Sequence, residues 1–415
     1  MTWLRTSRRR ESDSLPSSNE TTTTTTTTTN CLWVTGAAGT GKTAILQSIA
    51  ETCASEGNLA ATFFFSYRWA ERDNYDRFVP TIAYQLAQKI ESTREFITAA
   101  VLKDISIFNQ DFQSQLEALV LHPLAQAREK DSQADHPRPP WPHVIIIDAL
   151  DECQFNIKQQ TIILEALHKA LQSHRFPFRI IIASRPEKLI RTHFSGSGSK
   201  STRRIHLDED YDANSDIRLY LQSSFNAIRA KYHLDESWPS DADVQLLVRR
   251  ASGQFIYAST ALKYIDDPSQ QPEEHLHHVL NIEADHQAPE THPLAPLDIL
   301  YTSILNRCPD PTQSALTVQM ISVLHSRLSA GSINHLLGYR PQDHARIFDG
   351  LHSLLHVPAH DNPDAFYNLH HKTLVDFLES TPTRAQHLFN SKKLVYSKIG
   401  AQYLKLCTRT ATGEQ

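Results

Sequence analysis

From Cys31 onward, short runs of apolar, β-favouring residues alternate with longer stretches of helical period, a pattern that predicts a parallel sheet covered by helices. Five strands are predicted, at residues 31–35, 59–65, 143–148, 179–183 and 203–207, and their apolar content suits burial on both faces. Helices are expected at 80–90 and 113–124, and the polar, Pro-rich stretch 133–142 reads as a loop before the third strand. After Asp208 strands give way to helical-period segments at 215–231, 241–265 and 274–281. Residues 285–296 carry three prolines and set off a last unit, where helices precede two short strands at 356–358 and 366–368, an order that suggests a winged helix. Residues 1–30 are rich in Ser, Thr and Arg, end in the run Thr21 to Thr29, and offer no apolar face to bury, so a disordered tail is expected. No repeat of about 20–50 residues is visible, so the chain does not encode a solenoid or propeller.

Composition narrows the class. A chain of 415 residues exceeds what one core supports, about 250–300, so two or three packed units are expected. Net charge is 41 − 46 = −5, without the basic excess that would make nucleic acid the expected partner. The five cysteines lie far apart with no C-x-x-C pair, which argues against a zinc site or a disulfide framework and suits a reducing cytosol. No apolar run approaches the roughly 18 residues of a membrane span, and the basic start at Arg5, Arg8, Arg9 and Arg10 is followed at once by Glu11 and Asp13. Neither a secretory signal nor a membrane anchor is expected, and the expected location is cytoplasmic.

The chemistry begins at the end of the first strand. Gly36-Ala37-Ala38-Gly39-Thr40-Gly41-Lys42-Thr43 matches G-x-x-x-x-G-K-[ST] at every fixed position and leads through Ala44 into a helix. Loop N–H groups are expected to cradle phosphate oxygens, Lys42 to neutralise the β/γ oxygens, and the Thr43 hydroxyl to hold Mg²⁺. The plain alternative is an ordinary Gly-rich turn. A second motif counts against it: the buried run from His143 to Ile147 ends in Asp148-Ala149-Leu150-Asp151-Glu152. In a doubly wound sheet ligands lie beyond the carboxyl ends of the strands, which puts Asp148 in the Mg²⁺ shell opposite Thr43. Glu152 is the preferred acceptor of a proton from an attacking water, with Asp151 as the alternative or as a second metal or structural contact. Arg185, after the fourth strand, is placed to sense a terminal phosphate, against the plainer reading of a surface salt-bridge arginine.

The segments GAAGTGKT, FFFS (63–66), VPTIAYQLA (79–87), VIIIDALDEC (144–153) and ASRPE (183–187) resemble the NACHT class of signal-transducing P-loop NTPases. The chain is most similar to fungal proteins of the NOD-like receptor type, and the likeness continues through NSDIRLYL (214–221), ASGQFIYASTA (251–261), PLDILYTSIL (296–305) and LHHKTLVDFL (369–378). The resemblance implies an α/β NTPase domain with a five-stranded parallel sheet at 31–208. It also implies a helical lid at 209–290, a winged-helix-like domain at 291–380 and the start of a C-terminal helical segment at 381–415. It further implies a switch that closes over ADP, opens on exchange for ATP, self-associates when active, and serves signalling or self/non-self responses. His371 falls at the histidine position that contacts the β-phosphate of ADP in that family. The chain departs at Gln254 and Phe255, where relatives usually carry Leu after the glycine, or Pro in animal and plant members, which bears on the adenine contact at Gly253. It departs again at Ala183, where Thr is frequent. Effector and repeat modules of such receptors are not recognisable, so a truncated gene product or short paralogue is expected.

Two groups of residues invite function without supporting it. His275 and His278 share a helix face beside Glu273 and Glu274 but lack a third ligand, so a solvated face is expected. Tyr220, Tyr257 and Tyr264 recur without a basic stripe and read as lid core, not as a base-stacking platform. The expected function is a nucleotide-dependent switch with slow ATP or GTP hydrolysis; the alternatives are a turnover ATPase, GTPase or kinase, and a scaffold that keeps nucleotide without hydrolysing it. ATP is the default and GTP the alternative, since phosphate loops contact phosphates and not bases.

Overall fold

The five apolar runs form one parallel sheet in the order β2-β3-β4-β1-β5, built from β1 (Cys31–Thr35), β2 (Leu59–Phe64), β3 (Val144–Asp148), β4 (Arg179–Ser184) and β5 (Thr202–His206). The computed structural model describes residues 30–412 apart from 70, 134–138, 154–156, 174, 197, 200–201, 208–210, 269–270, 283–293, 325–327, 359–361, 381–384, 386–387 and 389. The expected tail at 1–30 lies outside the described residues but for Asn30, and the Pro-containing segment 285–296 lies outside them up to residue 293. Register aligns Thr35 with Ser184 and with His206, so Gly36 and Arg185 leave the sheet side by side at its carboxyl edge. Ile147 pairs with Ile182, which brings Asp148 out on the next strand over. Thus β4 separates the phosphate-loop strand from the acid strand.

Between the strands run α1 (Lys42–Ser55), α2 (Phe78–Lys89), α3 (Glu91–Lys103), α4 (Phe112–Leu116), α5 (His122–Ser132), α6 (Ile157–Leu171) and α7 (Lys188–Ser195). The helix expected at 113–124 is an irregular continuation in which Glu117–Leu121 takes the wider π turn between α4 and α5. Helix α1 covers one face, packing Leu46 and Ala50 on Val34, Ile146, Ala183 and Leu207. The other face, with Trp33, Phe63, Ile145, Ile147, Ile180 and Ile182, is buried under the remaining helices. Two-sided burial explains the unbroken apolar runs of β3 and β4. The two-sided burial expected of all five strands fails at β5, where Arg203 and Arg204 are exposed because the strand is the sheet's edge. Trp33, fully buried, donates from Nε1 to the Ser184 hydroxyl at 2.8 Å and stacks on Phe194. That bond ties the loop strand to the strand that ends at Arg185.

The rest of the described chain adds helices and one short hairpin around a separate core that runs from Ala213 to Val395. First come α8 (Asn214–Tyr232), α9 (Asp241–Ala251), α10 (Phe255–Ile265) and α11 (Pro272–Asn281). The single helix expected over 241–265 is two, because Ser252 and Gly253 are both left-handed (φ 47° and 78°) and a right-handed helix cannot pass through such a pair. Then follow α12 (Ala295–Asn306), α13 (Pro311–Leu324), α14 (Ala330–Leu337), α15 (Pro341–Phe348), β6 (Leu355–His356), β7 (Asn368–Leu369), α16 (Lys372–Ser380) and α17 (Lys392–Thr412). β6 and β7 pair antiparallel, each displaced by a residue or two from the expected 356–358 and 366–368.

His275 and His278 point inward. His275 is buried against the Tyr264 ring, and the His278 ring nitrogens contact the Tyr264 and Ser303 hydroxyls at 3.0 and 3.1 Å. The expected solvated face is therefore a helix-packing seam, and among the described residues no group of three or more His, Cys, Asp or Glu could hold a metal. Tyr257 and Tyr264 are buried core residues, whereas Tyr220 is exposed near Phe255.

Phe377 of α16 is fully buried against Tyr301 of α12 and anchors this second half. Phe377→Ala is expected to cost about 3–5 kcal/mol, read as a lowered urea midpoint in that half. A loss under about 1 kcal/mol would mean that the site collapses onto other packing.

Candidate functional site

The phosphate loop is held open by two left-handed glycines, Gly39 (φ 83°) and Gly41 (φ 86°). A Cβ on Gly39 would lie 2.0 Å from Cγ2 of Ile256, so glycine is also what allows α10 to pack on the loop. The Ile256 N–H donates to the Gly39 carbonyl at 3.2 Å. Helix α1 starts at Lys42 without a side-chain cap, so its first N–H groups are left for a ligand, and the helix dipole favours an anion there. Lys42 Nζ donates to the Gly36 and Ala37 carbonyls at 2.8 and 2.7 Å, while Thr40 Oγ1 donates to the Ala37 carbonyl. Gly36, Ala37 and Thr40 thus serve Lys42 and the loop's shape. Ala38, Gly39, Gly41, Lys42, Thr43 and Ala44 line a cavity of about 700 Å³.

Asp148, Asp151, Glu152 and Arg185 line the same cavity from the carboxyl edge of the sheet. Asp148 is buried, and burial raises its carboxyl to about 6 against the opposing hydrogen bond from Thr43. Its Oδ1 is buried with no hydrogen-bond partner. An orphaned carboxylate oxygen joined to a threonine hydroxyl is a donor set that fits a hard divalent cation such as Mg²⁺. Ala149 turns the chain with φ 53°, a left-handed conformation that a bulky or β-branched residue would resist, and a 3₁₀ turn over Leu150–Glu152 follows. That turn separates the two remaining acids. Asp151 Oδ1 accepts from the Arg185 backbone N–H at 2.9 Å and Oδ2 lies 3.3 Å from Nε, so this carboxylate positions Arg185. Glu152 accepts the Tyr67 backbone N–H at 3.1 Å, and burial, then the charge of Asp151, raises its carboxyl above the usual range.

The second half of the molecule closes the cavity. Arg185 Nη1 lies 2.7 Å from Asp376 Oδ2 on α16, and burial, which would lower its proton affinity, is outweighed by Asp376 and Asp151. His371 and Lys372 line the cavity opposite Lys42. His371 Nδ1 accepts the Thr373 backbone N–H at 3.1 Å, which leaves the ring proton on Nε2. Burial, then the charges of Arg185, Arg68, Lys42 and Lys372, pushes His371 down to about 3, so it is a neutral donor at physiological pH.

The structure brings together on this cavity residues that sequence reasoning had proposed and others that it had not: Arg68, Phe255, Ile256, Ser259 and Lys372, with Asp376 behind Arg185. Gly253 does not line it. Phe255 and Ile256 had one signal, since Gly253 ends a helix and the residues after it must begin the next. Arg68 had none, because its partner lies about three hundred positions away. Beyond Gly41 and Ala44 a second cavity, about 550 Å³ and largely apolar, opens between α1 and the helices α8 and α10 and is lined by Ile45, Leu207, Tyr211, Tyr220 and Phe255.

The strand order, the glycine loop and the acids at the carboxyl edge make this a P-loop NTPase fold. Residues 15–185, less than half of the chain, match the family model described as Nephrocystin 3, N-terminal. Among solved structures, the chain is similar to the Walker-type ATPase of Pyrococcus abyssi (11% identity, 86% of this chain and 91% of that chain, TM-score 0.38). It is also similar to Drosophila ORC, solved bound to DNA (13% identity, 84% and 88%, TM-score 0.34). No curated protein matches. No described helix is long and apolar enough to cross a membrane.

His371 supplies a pH test. Its folded value of about 3 lies below its ordinary 6.5, so the unfolded chain takes up the proton first as pH falls. Stability conferred by the neutral ring is whole above about 6.5, declines below it, and levels off near 3. Melting temperature should therefore fall less between pH 7 and 5 in His371→Gln than in wild type, and equal slopes would remove His371 from the buried cationic site.

Proposed function

We propose that the chain is a nucleotide-dependent regulatory switch of the NACHT type, which holds ADP between its phosphate loop and its second half and opens when ATP replaces it. The observation that carries the reading is one cavity lined by both Lys42 and His371, with Arg185 tied to Asp151 on one side and Asp376 on the other. A motor or kinase would need its nucleotide edge open to a substrate. Here the edge is covered by α10 and α16. In this reading residues 31–208 are the NACHT domain, 209–290 the lid, 291–380 the winged-helix-like domain and 381–415 the start of a further helical segment. The switch works in the cytoplasm and self-associates once open.

Each residue then has a role. The loop N–H groups and Lys42 hold the phosphates, Lys42 exchanging the Gly36 and Ala37 carbonyls for phosphate oxygens. Thr43 and Asp148 hold Mg²⁺, whose charge offsets that of the phosphate oxygens. His371 donates from Nε2 to the β-phosphate as a neutral ring, which favours the diphosphate without adding charge to an already cationic cavity. Glu152 accepts a proton from the attacking water, its raised pKa suiting that work. Because one of its oxygens is held by Tyr67 and Arg185 is held by two carboxylates, hydrolysis in the closed form is slow. The apolar second cavity takes the base, with Phe255 and Tyr220 as flanking rings; adenine is the default and guanine the alternative.

The test is to denature the purified chain and identify what it releases. ADP in stoichiometric amount is expected from wild type and none from Lys42→Ala; a nucleotide-free wild type that also fails to bind added ADP or ATP would refute the switch.

A further inference from the structure

The cavity collects five cations, Lys42, Arg68, Arg72, Arg185 and Lys372, and they are not equally committed. Lys42 is engaged by loop carbonyls, Arg185 is shared by Asp151 and Asp376, Arg72 lies over the Trp69 ring, and Lys372 and Arg68 both lie over the Tyr67 ring. Arg68 differs in that a single neutral carbonyl receives its guanidinium. It stands on the turn after β2, which is closed by Ser66 N–H to the Arg72 carbonyl at 2.9 Å and Arg72 N–H to the Trp69 carbonyl at 2.8 Å. Its guanidinium donates from Nη2 to the backbone carbonyl of His370 at 2.6 Å, and among the described residues no carboxylate lies within ion-pair distance of it. Trp69 of the same turn meets Phe366 at 6.4 Å, so the turn rests on the hairpin side of the second half. The lining of the cavity includes Arg68, His370 and His371 together.

We propose that Arg68 reads the terminal phosphate of a bound nucleoside triphosphate in competition with the His370 carbonyl, and so is the residue that tells triphosphate from diphosphate. The inference rests on the nucleotide reading of the site given above. A guanidinium bonded to a neutral carbonyl exchanges it for a phosphate oxygen with gain, since charge-assisted bonds are about twice as strong as neutral ones. Arg185 gains less from the same exchange because it must leave two carboxylates.

The exchange has a structural consequence. His370 is the residue before His371, and its carbonyl loses its partner when Arg68 turns to phosphate. The segment that carries the β-phosphate donor and leads into α16 is thereby released from the β2 turn. Diphosphate leaves Arg68 on His370 and the second half in place.

The experiment measures binding of ADP and of a non-hydrolysable ATP analogue, each with Mg²⁺, by calorimetry on the full chain as wild type, Arg68→Gln and Arg68→Lys. Arg68→Gln is expected to keep ADP affinity within about threefold and to lose about ten- to a hundredfold for the triphosphate analogue, the range of one charged hydrogen bond. Arg68→Lys, which keeps the charge without the fork, should fall between and guards against a Gln variant that does not fold. Equal losses for both nucleotides, or no loss for either, with wild type binding both, would overturn the role of Arg68 alone and make it a strut between the β2 turn and His370. A wild type that bound neither would overturn the site's reading and this inference with it.

Discussion

Arg185 is one cation between two carboxylates, and the placement of the second half of the molecule on the sheet depends on that sharing. Asp151 fixes its backbone N–H and approaches Nε, while Asp376 takes Nη1 from the far side. Arginine suits the position because its guanidinium is planar, always charged and able to face two partners at once. A pair half-removed from water contributes little net stability, since desolvation offsets most of the attraction, yet losing one partner leaves a buried charge unbalanced. Such a contact specifies an arrangement more than it strengthens one. It is also the kind of contact that a competing anion can rearrange.

Around that pair the cavity carries opposite demands. Its sheet edge presents Asp148, Asp151 and Glu152 together with Arg185, and its other walls present Lys42, Arg68, Arg72 and Lys372. Desolvation raises Asp148 and Glu152, and burial, then the cations, push His371 down, so acids and imidazole are all moved toward neutrality. A ligand that combines polyanion and divalent cation answers both demands, the cation meeting the orphaned Asp148 oxygen and the anion meeting the lysine and arginines. The docking of Ile256 on Gly39 and Phe255 beside Gly41 adds a steric link between α10 and the loop.

Much of this was legible in the sequence, for identifiable reasons. Local chemistry at fixed spacing showed the phosphate loop, and an apolar run that ends in three acids showed the sheet edge. Period and punctuation showed the alternation of strands and helices, although the helical period of 241–265 runs on through Ser252 and Gly253, where two left-handed residues break the helix. What failed was whatever depends on contacts between distant segments. His275 and His278 read as solvated beside two glutamates because Tyr264 and Ser303, which receive them, sit on other helices. Arg203 and Arg204 contradict burial only once β5 is known to be the edge. Arg68 and Asp376 carry no local mark of function at all; each is ordinary until the fold brings it to the cavity.

The central claim is that nucleotide state controls whether the second half stays on the sheet edge. Small-angle X-ray scattering of the full chain, saturated in turn with ADP and with a non-hydrolysable ATP analogue in the presence of Mg²⁺, tests it most directly. The account predicts a larger radius of gyration with the triphosphate analogue than with ADP, and no such difference in Arg68→Gln. Identical scattering from a wild type that binds both nucleotides would contradict it.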